Sequence, residues 1–259
     1  MNKKNYISIL ITNYNKGFFL QRSLKSACNQ NFKNYEIILF DDSSTDNSIE
    51  IIKKYKKVKL IKNQSTRRKT GPLNQIKGLI ECFKQSKGNL ICLLDADDVF
   101  KKNKLKEINQ FFSKNKKLNC IFDMPFNTVS EFNFKNKSIK HSIWSTIFPT
   151  SCISLRRKFF KTFLKNIYKN NFPNLEIDAR LSIFSKFYMN EYNVHSKKLT
   201  YYNYDHNGIT ANIKKYSKRW WIRRSEAFSY LRIIIKKKNI FFKASFDYYF
   251  TSALTFFMR

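Results

Sequence analysis

Short apolar runs alternate along the first hundred positions with longer stretches in which apolar residues recur every three or four places. Residues 6–12 are a mostly apolar run and predict a first strand. Residues 19–28 put Leu20, Leu24, Ala27 and Cys28 on one helical face. A second strand is predicted over 35–40. A helix follows with Ile49, Ile52 and Tyr55 inward, then a third strand over 58–61. Pro72 suits the first turn of a helix striped by Leu73, Ile76, Ile80 and Phe83, and 90–94 is a fourth apolar run. Strand and helix thus alternate four times, which predicts an α/β fold with a mostly parallel sheet and right-handed crossovers. Beyond residue 98 the pattern loosens. Helices are expected over 105–112, 156–168 and 175–187, and strands over 118–122, 153–155 and 199–204. From 214 onward the chain is basic, aromatic and helical in pattern.

The fourth run ends in Asp95, Asp97 and Asp98. Three carboxylates so close repel one another unless a cation sits among them, and open α/β sheets bind ligands at the C-terminal ends of their strands. A divalent ion with oxygen ligands fits, and it could also hold a diphosphate. The competing reading is that Asp97 or Asp98 caps the next helix.

Composition changes the picture in one respect. Fifty Lys and Arg against 18 Asp and Glu give a formal charge of +32. Such a field suits nucleic acid, an anionic membrane face or phosphorylated substrates. The basic residues are spread over nearly every polar segment, so compositional bias accounts for much of it. A nucleic-acid binder would not need three aspartates at a strand end, and nucleic acid is not an expected partner. No apolar run approaches the roughly 20 residues that span a bilayer, and no leader pattern precedes the first strand. The five cysteines are scattered, without metal-ligand spacing, and read as reduced thiols of a cytoplasmic protein.

Four pieces of the sequence resemble the family 2 glycosyltransferases of GT-A fold. Ile-Ser-Ile-Leu-Ile-Thr-Asn-Tyr-Asn-Lys over 7–16 is similar to the family's opening strand and turn. Residues 26–31 and 35–48, with Asp-Asp-Ser-Ser-Thr-Asp at 41–46, are similar to its second motif. Asp-Ala-Asp-Asp at 95–98 resembles its DxD motif. The resemblance is specific over roughly the first hundred residues and thins beyond them. It implies a GT-A domain over 1–212, with a nucleotide-binding half at 1–100 and an acceptor half at 101–212. Residues 213–259 then form a C-terminal helical extension.

The resemblance also implies roles. Thr12, Tyr14 and Asp42 would hold the nucleoside, with the Tyr14 ring stacked on a planar base and Asp42 accepting its N–H. Asp42 capping the next helix is the alternative. Asp95 would face the ribose or sugar, and Asp97 a Mg²⁺ or Mn²⁺ ion, with Asp98 replacing or assisting it. Lys16 and one of Arg67 and Arg68, here Arg68, would touch the phosphates. The general base is expected about 80–90 residues past the DxD motif. This chain departs from the family pattern there, offering Glu-Ile-Asp-Ala-Arg-Leu at 176–181. Asp178 fits best and Glu176 is second. A pair of acidic residues favoured by a helix N-terminus is the other reading. His206, in Asp-His-Asn-Gly, resembles the family's late loop that closes over the donor diphosphate. Residues 144–151 and the basic segment after them lie where the family binds its acceptor.

The expected reaction is metal-dependent transfer of a sugar, with inversion, from a nucleotide-sugar, UDP-linked, to a hydroxyl of a glycan or lipid-linked acceptor in cell-surface polysaccharide synthesis. A nucleotidyltransferase of the same fold is the alternative, but it would carry a Gly-rich, Lys/Arg-containing loop after the first strand. The tail interleaves Trp220, Trp221, Phe241, Phe242 and Phe256-Phe257 with Lys and Arg. That pattern suits a peripheral contact with an anionic membrane face. The competing reading is an amphipathic helix packed on the catalytic domain.

Overall fold

The computed structural model describes residues 5–126, 147–203, 208 and 213–258. Eight strands form one sheet: β1 (Ile7–Asn13), β2 (Tyr35–Asp41), β3 (Val58–Lys62), β4 (Leu90–Asp95), β5 (Val99–Phe100), β6 (Cys120–Phe126), β7 (Ile153–Arg156) and β8 (Val194–Tyr201). Their order is β3-β2-β1-β4-β7-β6-β8-β5. The four strands of the N-terminal half run parallel. β7 runs antiparallel to β4 and β6, and β5 antiparallel to β8.

The apolar runs are continuous because both sheet faces are covered. Side chains alternate between faces along a strand, and each face has its own core. Leu10, Ile38, Phe40, Ile91 and Leu93 point one way, against α3 (Gly71–Gln85), α5 (Arg157–Lys165), α6 (Ile177–Ile183) and α7 (Lys218–Lys236). Ile9, Ile11, Ile37, Leu39, Cys92 and Leu94 point the other way, against α1 (Gly17–Cys28), α2 (Ser48–Lys53) and α4 (Lys104–Lys114). On α3 the close approach needs a glycine. A Cβ on Gly78 would stand 2.7 Å from the Phe40 ring and 2.8 Å from the Thr12 methyl.

Three expectations shift. The helix expected over 175–187 is α6 followed by a π-helical segment, Phe184–Tyr188. β5 was not expected: it is two residues long and pairs with β8 at the far edge. α7 is no appendage, since Ala227, Tyr230, Leu231, Ile234 and Ile235 complete the same core as α5 and α6. The division at 212/213 therefore does not separate two cores. α8 (Phe246–Met258) packs back on α7.

Candidate active site

The loops after β1 and β2 are built as one unit. Asn15 and Ser43 both hold left-handed backbone, φ 50° and 60°, which costs about 1 kcal/mol for a non-glycine residue. Cross-bonds hold them there. Asn15 N–H donates to Ser44 Oγ at 3.0 Å, and Thr45 N–H donates to Asn15 Oδ1 at 2.8 Å. The two neighbouring aspartates divide the work. Asp41 accepts from Asn13, Ser44 N–H and Ser44 Oγ, all within the loop. Asp42 is buried on the cavity wall and accepts Asn63 Nδ2 at 2.7 Å and Arg67 Nε at 2.7 Å. It caps no helix, because α2 starts after Asn47. The Arg67 guanidinium carbon lies 3.2 Å from the centroid of the Tyr14 ring.

At the end of β4, Asp95 N–H donates to Ser151 Oγ at 2.8 Å, and its Oδ1 accepts Gln75 Nε2 at 2.8 Å. Burial, with the nearby Asp97 charge, pushes the Asp95 carboxyl up to about 7. Asp97 pairs with Lys16 Nζ at 2.8 Å. Neither Asp97 nor Asp98 caps α4, whose N-cap position is Asn103.

Two expectations need correction. Asp98 is fully buried and its Oδ1 accepts the Asn203 N–H at 2.8 Å, so it anchors β4 to the chain after β8 and does not face the cavity. Burial beside Asp95 and Asp97 pushes its carboxyl well above the usual range. Arg68 turns away from the cavity to the Lys169 carbonyl and Asn170 Oδ1, and it is Arg67 that lines the wall. His206 and residues 144–146 lie outside the described residues.

The remaining wall comes from α6. Glu176 stands at its N-cap position and Asp178 in its first turn, where the helix dipole favours acidic side chains. The two differ in partners. Glu176 Oε2 accepts Arg223 Nε of α7 at 2.6 Å. Asp178 accepts only the adjacent Ala179 N–H, at 2.7 Å, among its side-chain bonds to described residues. Burial pushes the Asp178 carboxyl up to about 7; Glu176 adds to the rise and Arg223 opposes it. A carboxylate poised near neutrality is suited to taking a proton from a hydroxyl.

These side chains converge. Thr12, Tyr14, Lys16, Asp42, Arg67, Asp95, Asp97, Glu176 and Asp178 all line a single cavity of about 250 Å³. Gln75, Tyr202 and Asn203 line it as well. Sequence reasoning missed those three and Arg223. Gln75 lies in the first turns of α3, where spacing marks only the apolar stripe, and Arg223 is one of fifty basic residues.

Among the described residues no group of three or more His, Cys, Asp or Glu converges as a complete metal cage. Mg²⁺ and Mn²⁺ do not require one, since they are commonly held by one or two carboxylates with substrate phosphates and water. Asp97 and Asp95 offer hard oxygen donors on the cavity wall, and a cation already sits against Asp97 as the Lys16 ammonium. The residues present fit such an ion.

Comparison with known proteins places this architecture. The family model described as Glycosyl transferase family 2 matches residues 8–181. The Campylobacter jejuni GalNAc(5)-diNAcBac-PP-undecaprenol beta-1,3-glucosyltransferase is 28% identical over 178 residues, covering 66% of this chain and 55% of that protein. The Escherichia coli UDP-Glc:alpha-D-GlcNAc-diphosphoundecaprenol beta-1,3-glucosyltransferase WfaP is 35% identical over 112 residues, 42% of each chain. The matches span about half the length of such relatives. Among solved structures, Staphylococcus aureus TarS 1–349 in complex with UDP-GlcNAc superposes with a TM-score of 0.63 at 17% identity, covering 87% of this chain and 66% of that one. The Pyrobaculum calidifontis mannosyltransferase PcManGT, in complex with GDP-Man and Mn²⁺, superposes with a TM-score of 0.64 at 14% identity, covering 98% and 70%. At these identities the two structures speak for the fold alone.

Proposed function

The chain belongs to glycosyl transferase family 2, and from that premise we propose that it moves a sugar from a UDP-linked donor to a hydroxyl of a lipid-linked glycan in polysaccharide assembly. The observation that carries the reading is the single cavity. The loops after β2 and β1 bring Asp42 and Tyr14, β4 brings Asp95 and Asp97, and α6 brings Asp178. Those three strands are neighbours in the sheet, so the groups follow one another as a base, a diphosphate and a sugar would.

Each group has work suited to its chemistry. The Tyr14 ring offers a stacking face, and the Asp42 carboxylate accepts an N–H, as on uracil, and repels a base that presents a lone pair there. Lys16 and Arg67 are the cations near the phosphates. Asp97, with Asp95 beside it, would hold the divalent ion, which when bound neutralises charge on the departing diphosphate. Asp178 takes the proton of the acceptor hydroxyl. The acceptor oxygen bonds to the anomeric carbon as the bond to the diphosphate breaks, and the diphosphate leaves with that electron pair. Attack from the face opposite the leaving group inverts the anomeric centre. Glu176 is second choice as base, since its charge is already matched by Arg223. The lipid-linked acceptor is supported by the names of the Campylobacter and Escherichia relatives, both of which act on undecaprenyl diphosphate glycans.

The test is a screen of UDP- and GDP-sugars with and without Mn²⁺ or Mg²⁺, followed by titration of UDP. Asp97→Ala should lose metal-dependent UDP binding. Asp178→Asn should lose turnover and keep UDP binding. Failure of every nucleotide-sugar to bind would overturn the reading.

A further inference from the structure

α8 is built inside out. At 100° per residue, positions 246, 249, 250, 253, 256 and 257 fall within an arc of about 120°. They are Phe246, Tyr249, Phe250, Ala253, Phe256 and Phe257, and all of them are exposed. Phe246, Phe256 and Phe257 are 83%, 78% and 85% exposed. The opposite face, turned to α7, carries the polar side chains beside the Tyr248 ring, which packs edge-on against Phe228. Thr251 and Thr255 are buried there, Asp247 pairs with Arg224, and Tyr248 Oη accepts Arg232 Nη1 at 2.7 Å. A helix whose surroundings are water on one side and a protein core on the other carries the reverse pattern.

The turn leading into α8 continues the surface. Ile240 and Phe241 are exposed, Phe241 at 88%, beside exposed Lys236, Lys238 and Lys243. Between Ala227 and Met258 the only acidic residue is Asp247, and Arg224 already neutralises it. The patch therefore joins a bare aromatic face to an uncompensated basic rim. Aromatic rings with a cationic border match the boundary between headgroups and acyl chains of an anionic bilayer. A second protein copy would match the rings but not the unopposed charge. Among the described residues no helix is long and apolar enough to cross a membrane. α8 itself has 13 residues, about 20 Å of helix against a hydrocarbon core of about 30 Å.

We propose that the outward face of α8, with the 240–243 turn, docks on an anionic phospholipid surface and lies in its plane. The aromatic side chains enter the interface and the lysines meet phosphate headgroups. The inference stands on this surface and holds whichever donor and acceptor the cavity takes. Docking would also orient that cavity, because α8 packs on α7 and α7 carries the Arg223 that pairs with Glu176 on the cavity wall.

The full chain is sedimented with phosphatidylcholine vesicles prepared with and without phosphatidylglycerol. Binding is expected to the anionic vesicles and to fall with added salt. Phe256→Ser with Phe257→Ser should weaken it by about tenfold or more, by loss of two inserted rings. That variant should keep the wild-type melting temperature and UDP affinity, which separates loss of docking from loss of fold or of the donor site. Lys236→Gln with Lys238→Gln and Lys243→Gln should remove the preference for anionic lipid. Two results would overturn the proposal: no binding of the folded wild type to either vesicle, or a lipid-independent dimer that the Phe256→Ser and Phe257→Ser changes dissociate.

Discussion

The Arg67 guanidinium lies over the Tyr14 ring, 3.2 Å from its centroid, while its Nε donates to Asp42 at 2.7 Å. A planar cation thus makes, with these two side chains, the stack and the N–H bond that the proposed nucleobase would make. A nucleoside must displace it. Arg67→Ala should therefore strengthen binding of uridine. A half-exposed cation–π contact and ion pair are together worth about 1 kcal/mol, or roughly a fivefold gain. For UDP the gain should be smaller, because the displaced guanidinium is available to the phosphates. Calorimetric titration of both ligands decides it, and weaker uridine binding by the variant would count against the displacement.

Asp178 should give turnover an ionisation near pH 7. Its folded carboxyl is raised to about 7 from an ordinary 3.8, and a general base acts only when deprotonated. Activity should rise with pH through that range, and Asp178→Asn should lose about 10²-fold or more in kcat. The stability consequence runs the other way. A raised folded pKa means that the folded state holds the proton more tightly than the unfolded state, so stability falls as pH rises from about 4 through about 7. Asp178→Asn should consequently melt higher than wild type at pH 8, with the difference vanishing near pH 4.

Arg223 sits on α7, yet it should be felt in the same profile. Its charge lowers the Asp178 pKa and offsets Glu176. Arg223→Ala should move the midpoint of the pH–rate profile to higher pH. Lost packing alone would lower kcat without moving the midpoint.

Asp97 and Asp98 should separate cleanly. Asp97→Asn should weaken Mn²⁺ binding in the presence of UDP, read by the spin-resonance signal of free Mn²⁺. Asp98→Asn keeps an acceptor oxygen for the Asn203 N–H and lies off the cavity wall. It should leave Mn²⁺ affinity at the wild-type value.

Lys104 is fully buried, and its ammonium donates to Asp123 Oδ2 at 2.7 Å, Thr200 Oγ1 at 2.7 Å and the Ser151 carbonyl at 2.6 Å. All three donors are used. Lys104→Ala leaves the buried Asp123 unpaired and should cost about 3–5 kcal/mol in urea unfolding. Lys104→Met combined with Asp123→Leu should recover much of that loss, because no charge is then stranded.

Legibility followed distance along the chain. The parallel half was readable because β1, β2 and β4 are buried on both faces and their apolar runs end where the cavity wall begins. Tyr14, Asp42 and Asp97 stand in those strand-end loops, and all three line the cavity. Arg67 and Arg68 could not be told apart, since composition is silent on which neighbour turns inward. Asp98 looked like a partner of Asp97 until the chain after β8 claimed it. Lys104 and Arg223 were hidden by abundance, as two basic residues among fifty.

β5 carries a consequence for synthesis. The chain leaves β4 in the middle of the sheet and pairs Val99 with Tyr201 and Phe100 with Thr200 at its far edge. Asp98 is held by Asn203 in the same stretch. The turn that presents Asp97 is thus fixed at its far side by residues made about a hundred positions later. A nascent chain that has released only its parallel half lacks this clamp, and it lacks α5, α6 and α7, which cover one face of its strands. The carboxylate turn is therefore set only when nearly the whole chain has been made.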